Sequence, residues 1–210
     1  MLETNEIKTG EETTVKAVGS YWAELGRFFL LAVIIIVPLR FLLAEPFIVS
    51  GCSMFPTFDH REYIIVDKVS YWFHKPNRGD VVVMRYPLDE SQYFIKRIVG
   101  LPGDTVTMES GGVRIVNPAN LAGFKLEETY LSNQVQTYGD PIPHVLKEGE
   151  YFVLGDNRTA SNDSRVWGAL PKKDIVGKAF LRLVPVDRLT LFTHSKFAKA
   201  APAIESKFCK

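Results

Sequence analysis

Tyr93-Phe94-Ile95-Lys96-Arg97-Ile98-Val99 reads as a β-strand with two cations set among aromatic and β-branched residues. Strand alternation puts Lys96 on one face with Phe94 and Ile98, and Arg97 on the other. The lysine is thereby carried toward an apolar layer. Outward from this stretch the same texture recurs: Phe47 to Val49, Tyr63 to Val66, Val81 to Tyr86, Val113 to Val116, Tyr151 to Leu154 and Ala179 to Val184 all read as strands. Arg78-Gly79-Asp80, Leu101-Pro102-Gly103-Asp104, Ser110-Gly111-Gly112 and Gly155-Asp156-Asn157 supply turn residues between them. The fold class is mostly β. Residues 117 to 150, with Pro118, Pro141 and Pro143, are the least regular part and read as surface excursions, and no internal repeat is present.

Before Pro46 the pattern differs. Phe28-Phe-Leu-Leu-Ala-Val-Ile-Ile-Ile-Val-Pro-Leu39 is apolar on every side and continues through Arg40 to Ala44. Counted from Tyr21, with Trp22 as an interfacial aromatic, it has about the 20 residues that cross a bilayer. The expected organisation is an N-terminal segment 1–20, a single transmembrane helix 21–44, a β-rich domain 45–192 and a flexible tail 193–210. A cleavable signal peptide is the competing reading, set back by the polar residues that precede the run and by the lack of a small-x-small site directly after it. A buried soluble helix is a further alternative, less favoured because residues 28 to 39 are apolar all round. Lys8, Lys16 and Arg27 before the run and Arg40, Arg61 and Lys68 after it leave orientation open.

The 210 residues accommodate one such helix and one domain large enough for a core. Lys+Arg number 25 against 24 Asp+Glu, and the basic residues are scattered, so nucleic acid is not an expected partner. The two cysteines, Cys52 and Cys209, lie far apart in the chain and indicate no disulfide framework. Cys52 reads as a small packing residue rather than a second nucleophile.

Ser53, in Val49-Ser50-Gly51-Cys52-Ser53-Met54-Phe55-Pro56-Thr57, follows the apolar run by a few residues. A serine hydroxyl attacks only when a base takes its proton, and that base is a histidine or an unprotonated lysine. His60, His74, His144 and His194 sit in unrelated polar contexts, without a nucleophile-elbow Gly-x-Ser-x-Gly to serve. Lysine can act once burial pulls its pKa down from about 10.4 toward neutrality. Lys96 has that setting, although a surface lysine on an edge strand fits the composition equally well. Arg97 stays charged and is no base.

These residues also resemble a family. Ser50-Gly-Cys-Ser-Met-Phe-Pro-Thr57, Arg78-Gly-Asp-Val-Val-Val-Met-Arg-Tyr-Pro87, Phe94-Ile-Lys-Arg-Ile-Val-Gly-Leu-Pro-Gly-Asp104 and Gly155-Asp-Asn-Arg-Thr-Ala-Ser-Asn-Asp-Ser-Arg-Val-Trp-Gly168 look like the four sequence boxes of bacterial type I signal peptidase, in order and spacing. The resemblance covers roughly residues 28 to 185. It implies an antiparallel, barrel-like β domain behind one membrane helix, with the N-terminus cytoplasmic and the catalytic domain on the outer face of the bacterial plasma membrane. It also implies a Ser-Lys dyad and no cofactor or metal. The implied partners are the lipid bilayer and signal peptides of preproteins emerging from the secretion machinery, cut after a small-x-small motif.

By the same resemblance, Ser53 matches the nucleophile, Lys96 the general base and Ser161 the hydroxyl that orients the lysine. Asp156, Asn157, Arg158, Asp163 and Arg165 match the site-supporting box. Val49, Ser50, Met54, Phe58, Phe94 and Ile95 match substrate-binding positions, with ordinary core packing as the other reading. Position 51 lacks the hydroxyl some members carry, so the oxyanion falls either to backbone donors at Ser53 and Gly51 or to Ser50 reaching in through a shifted backbone. Arg61-Glu62 stands where the family often has Gly-Asp, a change expected to alter only a turn. A specialised peptidase of the same family and a catalytically silent assembly factor on this fold are the alternatives.

Overall fold

The short β-branched segments pair into two antiparallel sheets. The structure, a computed structural model, describes residues 12–132, 135–192, 206, 208 and 209, and the chain divides into the units Met1–Leu42 and Leu43–Lys210. The helix α1 runs from Glu12 to Leu43. It overlaps the span expected at 21–44, and its large apolar side chains from Tyr21 to Ile36 are exposed. Among the described residues no helix is long and apolar enough to cross a membrane.

Among the described residues twelve strands follow: β1 (Ala44–Ile48), β2 (Tyr63–Asp67), β3 (Val81–Tyr86), β4 (Asp89–Gly100), β5 (Thr105–Glu109), β6 (Gly112–Asn117), β7 (Asn120–Lys125), β8 (His144–Val145), β9 (Glu150–Leu154), β10 (Leu170–Pro171), β11 (Ile175–Val184) and β12 (Thr190–Leu191). The larger sheet has the order β1-β2-β11-β3-β4-β9-β10, with β12 beside β11, and the smaller has the order β7-β6-β5-β8. All seven expected strands are present. Among the described residues no ladder joins β1 to β10, so the larger sheet is open at both edges.

Local chemistry accounts for the joints. The β5–β6 hairpin closes Glu109 against Gly112 across Ser110 and Gly111. Both carry positive φ, 50° and 71°, which gives the twist that a two-residue hairpin loop requires. Valines 81 to 83 and Met84 are all buried, so β3 is covered on both faces, as a near-continuous apolar run demands. Three apolar clusters make the core: one around Val49, Met54, Phe58, Ile64 and Ile95, one around Val106, Ile115, Phe152 and Leu154, and one around Val82, Met84, Ile98 and Val153.

Register sets up the site. In β4, Lys96 faces Val82 of β3 and Arg97 faces both Val81 of β3 and Leu154 of β9. The end of β9 is therefore fixed beside Lys96-Arg97, and the loop from Gly155 onward starts there. β1 pairs only with β2, leaving its outer side as a sheet edge among the described residues.

The region 117–150 is more ordered than expected. It holds β7 and β8, and Tyr130, Leu131 and Thr137 are buried. Of the tail 193–210, residues 193–205, 207 and 210 lie outside the described residues. Ser206, Phe208 and Cys209 make defined contacts, and Cys209 forms a disulfide with Cys52. That corrects the expectation of two unrelated cysteines: the fold returns the C-terminus to the segment that carries Ser53.

Candidate active site

Ser53 sits on an irregular segment that leaves the edge strand β1 and is pinned at both ends. Upstream, the Val49 N–H donates to the Glu62 carbonyl at 2.9 Å and the Arg61 N–H donates to the Val49 carbonyl at 2.8 Å. Downstream, the Asn157 N–H donates to the Ser53 carbonyl at 3.0 Å, tying the segment to the loop after β9. Between them Gly51 adopts φ +93°, a left-handed region that glycine enters without a Cβ clash. Its N–H donates to His60 Nδ1 at 3.1 Å. The amide expected to serve an oxyanion is thus engaged by His60.

Lys96 Nζ lies 2.8 Å from Ser53 Oγ and donates to the Ile95 carbonyl at 3.0 Å. The lysine is only 3% exposed, although it sits in a strand that begins at the surface. Burial pushes its pKa down to about 8, because an ammonium loses hydration there, while the negative charges of Asp163 and Asp156 pull in the other direction. Burial outweighs them because both carboxylates are already paired. Asp156 takes a two-pronged contact from Arg97, at 2.8 Å from Nε and 2.7 Å from Nη2, and Asp163 takes one from Arg165 at 2.7 and 2.8 Å. Such fork-on-carboxylate pairs are the strong form of charged hydrogen bond.

A polar network stands behind the pair. Thr57 Oγ1 donates to Asp156 at 2.5 Å, and the Arg97 guanidinium carbon lies 3.9 Å from the Tyr130 ring centroid. Arg158 donates to the Gly155 carbonyl at 3.0 Å, to Glu128 at 2.5 and 2.9 Å, to the Tyr130 hydroxyl at 3.1 Å and to Thr137. The Gly155 N–H donates to Asp163 at 3.0 Å. Asp156, Asn157, Arg158, Asp163 and Arg165 are all brought together around Ser53 and Lys96. Thr57, Glu128, Tyr130 and Thr137 escaped the sequence reading. They are polar residues in irregular segments, where no periodicity marks burial.

Ser161 Oγ is buried without a hydrogen-bond partner among the described residues. It packs where a Cβ on Gly155 would collide with both the Ser161 hydroxyl and the Ser53 carbonyl oxygen. The expected contact with Lys96 is therefore not made among the described residues.

A groove of about 300 Å³ opens over Ser53 and Lys96, with Val49, Ser50, Phe94 and Ile95 on its walls and Ala160 and Asn162 from the loop after β9. Met54 and Phe58 fit the core-packing reading. Both are fully buried in the cluster that also contains Val49 and Ile95, so they support the wall from the core side. Glu62 departs from expectation. It is buried, and pairs with Arg182 at 3.1 Å and Arg188 at 2.7 Å, while Arg61 takes φ +68°, the backbone shape that suits a glycine. Among the described residues no group of three or more His, Cys, Asp or Glu could hold a metal ion.

Residues 22–184 match the family model described as signal peptidase, peptidase S26. The probable signal peptidase I-1 of Synechocystis sp. is 40% identical over 76% of this chain and 81% of its own length. Signal peptidase I T of Bacillus subtilis is 33% identical over 89% and 97%. A solved signal peptidase I from Enterococcus faecalis matches with a TM-score of 0.41 at 30% identity, over 50% of this chain and 97% of that one. The chain belongs to the signal peptidase I family, a family of serine peptidases.

Proposed function

We propose that this chain is a membrane-anchored serine endopeptidase that removes N-terminal signal peptides from secreted preproteins after a small-x-small motif. Ser53 is the nucleophile and Lys96 the general base. The observation that carries this reading is the 2.8 Å approach of a buried Lys96 Nζ to Ser53 Oγ. Among the described residues no histidine is hydrogen-bonded to Ser53. When Lys96 is neutral, the serine O–H donates to its lone pair, and loss of that proton to Nζ accompanies attack on the scissile carbonyl. The resulting ammonium returns the proton to the leaving amine. The Ser53 N–H serves as a backbone donor to the oxyanion.

The peptide docks as an added strand along the free edge of β1 and the residues that follow it, Phe47 to Ser50. The apolar walls formed by Val49, Phe94 and Ile95 leave shallow room, which suits alanine-sized side chains on either side of one outward-pointing residue. Ser161 then serves to orient the lysine once substrate excludes water from the groove. Anchoring rests on the sequence run from Tyr21 to Ala44 and the exposed apolar side chains of α1. With the orientation that the family resemblance implies, residues 1–20 lie inside and the β domain on the outer face of the plasma membrane.

The test is cleavage of a radiolabelled preprotein in detergent micelles, with the new N-terminus sequenced. Ser53→Ala and Lys96→Ala each lose at least about a hundredfold in rate, within the range of general-base contributions, and the product begins directly after a small-x-small site. Wild-type rates in Lys96→Ala overturn the dyad.

A further inference from the structure

The last described residues of the chain end against the segment that carries the nucleophile. Cys209 is buried and joined to Cys52, the residue before Ser53. Ser206 Oγ donates to Asp59 Oδ1 at 2.8 Å and accepts the N–H groups of Phe208 and Cys209 at 2.9 and 2.6 Å. The Phe208 ring lies edge-on to His60, with centroids 5.5 Å apart, and under the Arg61 guanidinium at 5.5 Å. His60 is the residue whose Nδ1 receives the Gly51 N–H, and Asp59 Oδ1 accepts the His60 N–H at 2.7 Å. One C-terminal tip thus touches two segments at once: Gly51-Cys52-Ser53 through the disulfide, and Asp59-His60-Arg61 through a hydrogen bond and two ring contacts.

We infer that this tip is a positioning element of the active site: Cys209, with Phe208 and Ser206, clamps the backbone of Gly51 to Ser53 so that Ser53 Oγ stays on Lys96, and the clamp holds only while the disulfide is intact. The inference rests on the reading of Ser53 as the nucleophile. Gly51 has no side chain of its own to fix its position, and its φ is open to many alternatives, so the segment needs an external brace. Phe208 shields the His60 ring that anchors Gly51, and the disulfide holds the residue between Gly51 and Ser53. An external dithiol opens the clamp by exchange: its two sulfurs form a disulfide, two electrons pass to the Cys52–Cys209 bond, and two protons complete the Cys52 and Cys209 thiols. The chain is then a peptidase whose turnover follows the thiol–disulfide poise of its compartment.

The test compares the full-length chain in detergent micelles before and after dithiothreitol, with disulfide mapping by mass spectrometry. The oxidised chain shows the Cys52–Cys209 pair. Reduction lowers kcat by about tenfold or more while KM moves less than about twofold, in keeping with the cost of misplacing reacting groups by about 1 Å. Reoxidation restores the rate, and Cys209→Ser has the reduced rate with or without dithiothreitol. Phe208→Ala falls between the two. Hydrogen exchange of the Gly51–Ser53 amides gives a readout independent of turnover, and reduction speeds it by about tenfold as the clamp opens. Unchanged exchange together with unchanged kcat overturns the inference, as do free thiols at both positions in the oxidised chain. Ser53→Ala that still cleaves the substrate overturns the function reading instead, and leaves the exchange result to decide the clamp.

Discussion

At Lys96 the decisive quantity is exposure. An exposed lysine titrates near 10.4 and is charged at neutral pH, whereas burial has brought this one down to about 8. Its neighbours set a limit on that fall, since unpaired carboxylates at Asp156 and Asp163 would restore the charge. Asp156→Asn therefore removes a charge that favours the ammonium and leaves Arg97 buried without its partner. It is expected to destabilise the fold by about 3–5 kcal/mol, the cost of breaking a buried pair, measurable by urea denaturation. Gly155→Ala acts by volume: its new Cβ meets the Ser161 hydroxyl and the Ser53 carbonyl. Peptidase activity should fall by at least about a hundredfold, in line with roughly 1 Å of displacement at the reacting groups, as read by the preprotein assay. Ser53 and Lys96 drew attention in the sequence because one follows the long apolar run by a few residues and the other stands in an alternating strand. Thr57, Glu128 and Tyr130 did not, because side chains in irregular backbone carry no period from which burial can be read. The link between Cys52 and Cys209 spans 157 residues and depends wholly on where the fold brings the C-terminus.

Among the elements, β4 does the most to assemble the site. Its pairing with β3 and β9 puts Lys96, Arg97 and the start of the 155–165 loop within one layer. The strand itself was plain from its aromatic and β-branched content. Strands such as β7, Asn-Leu-Ala-Gly-Phe-Lys, were not, since Asn and Gly are poor strand formers and only pairing with β6 holds them. The segment between β7 and β8 read as a surface excursion from its prolines. In the fold it supplies Glu128, Tyr130 and Thr137, which grip Arg158 and through it the Gly155 carbonyl. Arg158→Lys keeps the charge but cannot reproduce the fork to Glu128. The expected result is a loss of about 2–3 kcal/mol of stability from the hydrogen bonds forgone by charged groups, seen as a lower urea midpoint. Catalytic rate should drop further than binding, because the loop carries Ser161 and the Asn157 amide.

For the whole molecule, the sheet domain and α1 follow different logic. The domain buries its apolar residues in three clusters, whereas α1 leaves Phe28, Phe29, Leu30, Leu31, Ile34, Ile35 and Ile36 more than half exposed. Exposed apolar surface on this scale calls for a covering medium, and the bilayer is the one proposed. The full chain should stay in the membrane pellet after an alkaline carbonate wash, while a chain beginning at Ala44 should appear in the supernatant; recovery of the full chain in the supernatant would contradict anchoring. The central claim, that Ser53 is activated by a neutral Lys96, is tested most directly by the pH dependence of kcat/KM for preprotein cleavage between pH 6 and 10. The active form is the unprotonated lysine, so the rate should rise about tenfold per pH unit below the pKa and level off above about 8. A flat profile, or one that rises through the histidine range near 6.5 and vanishes in His60→Ala, would contradict it.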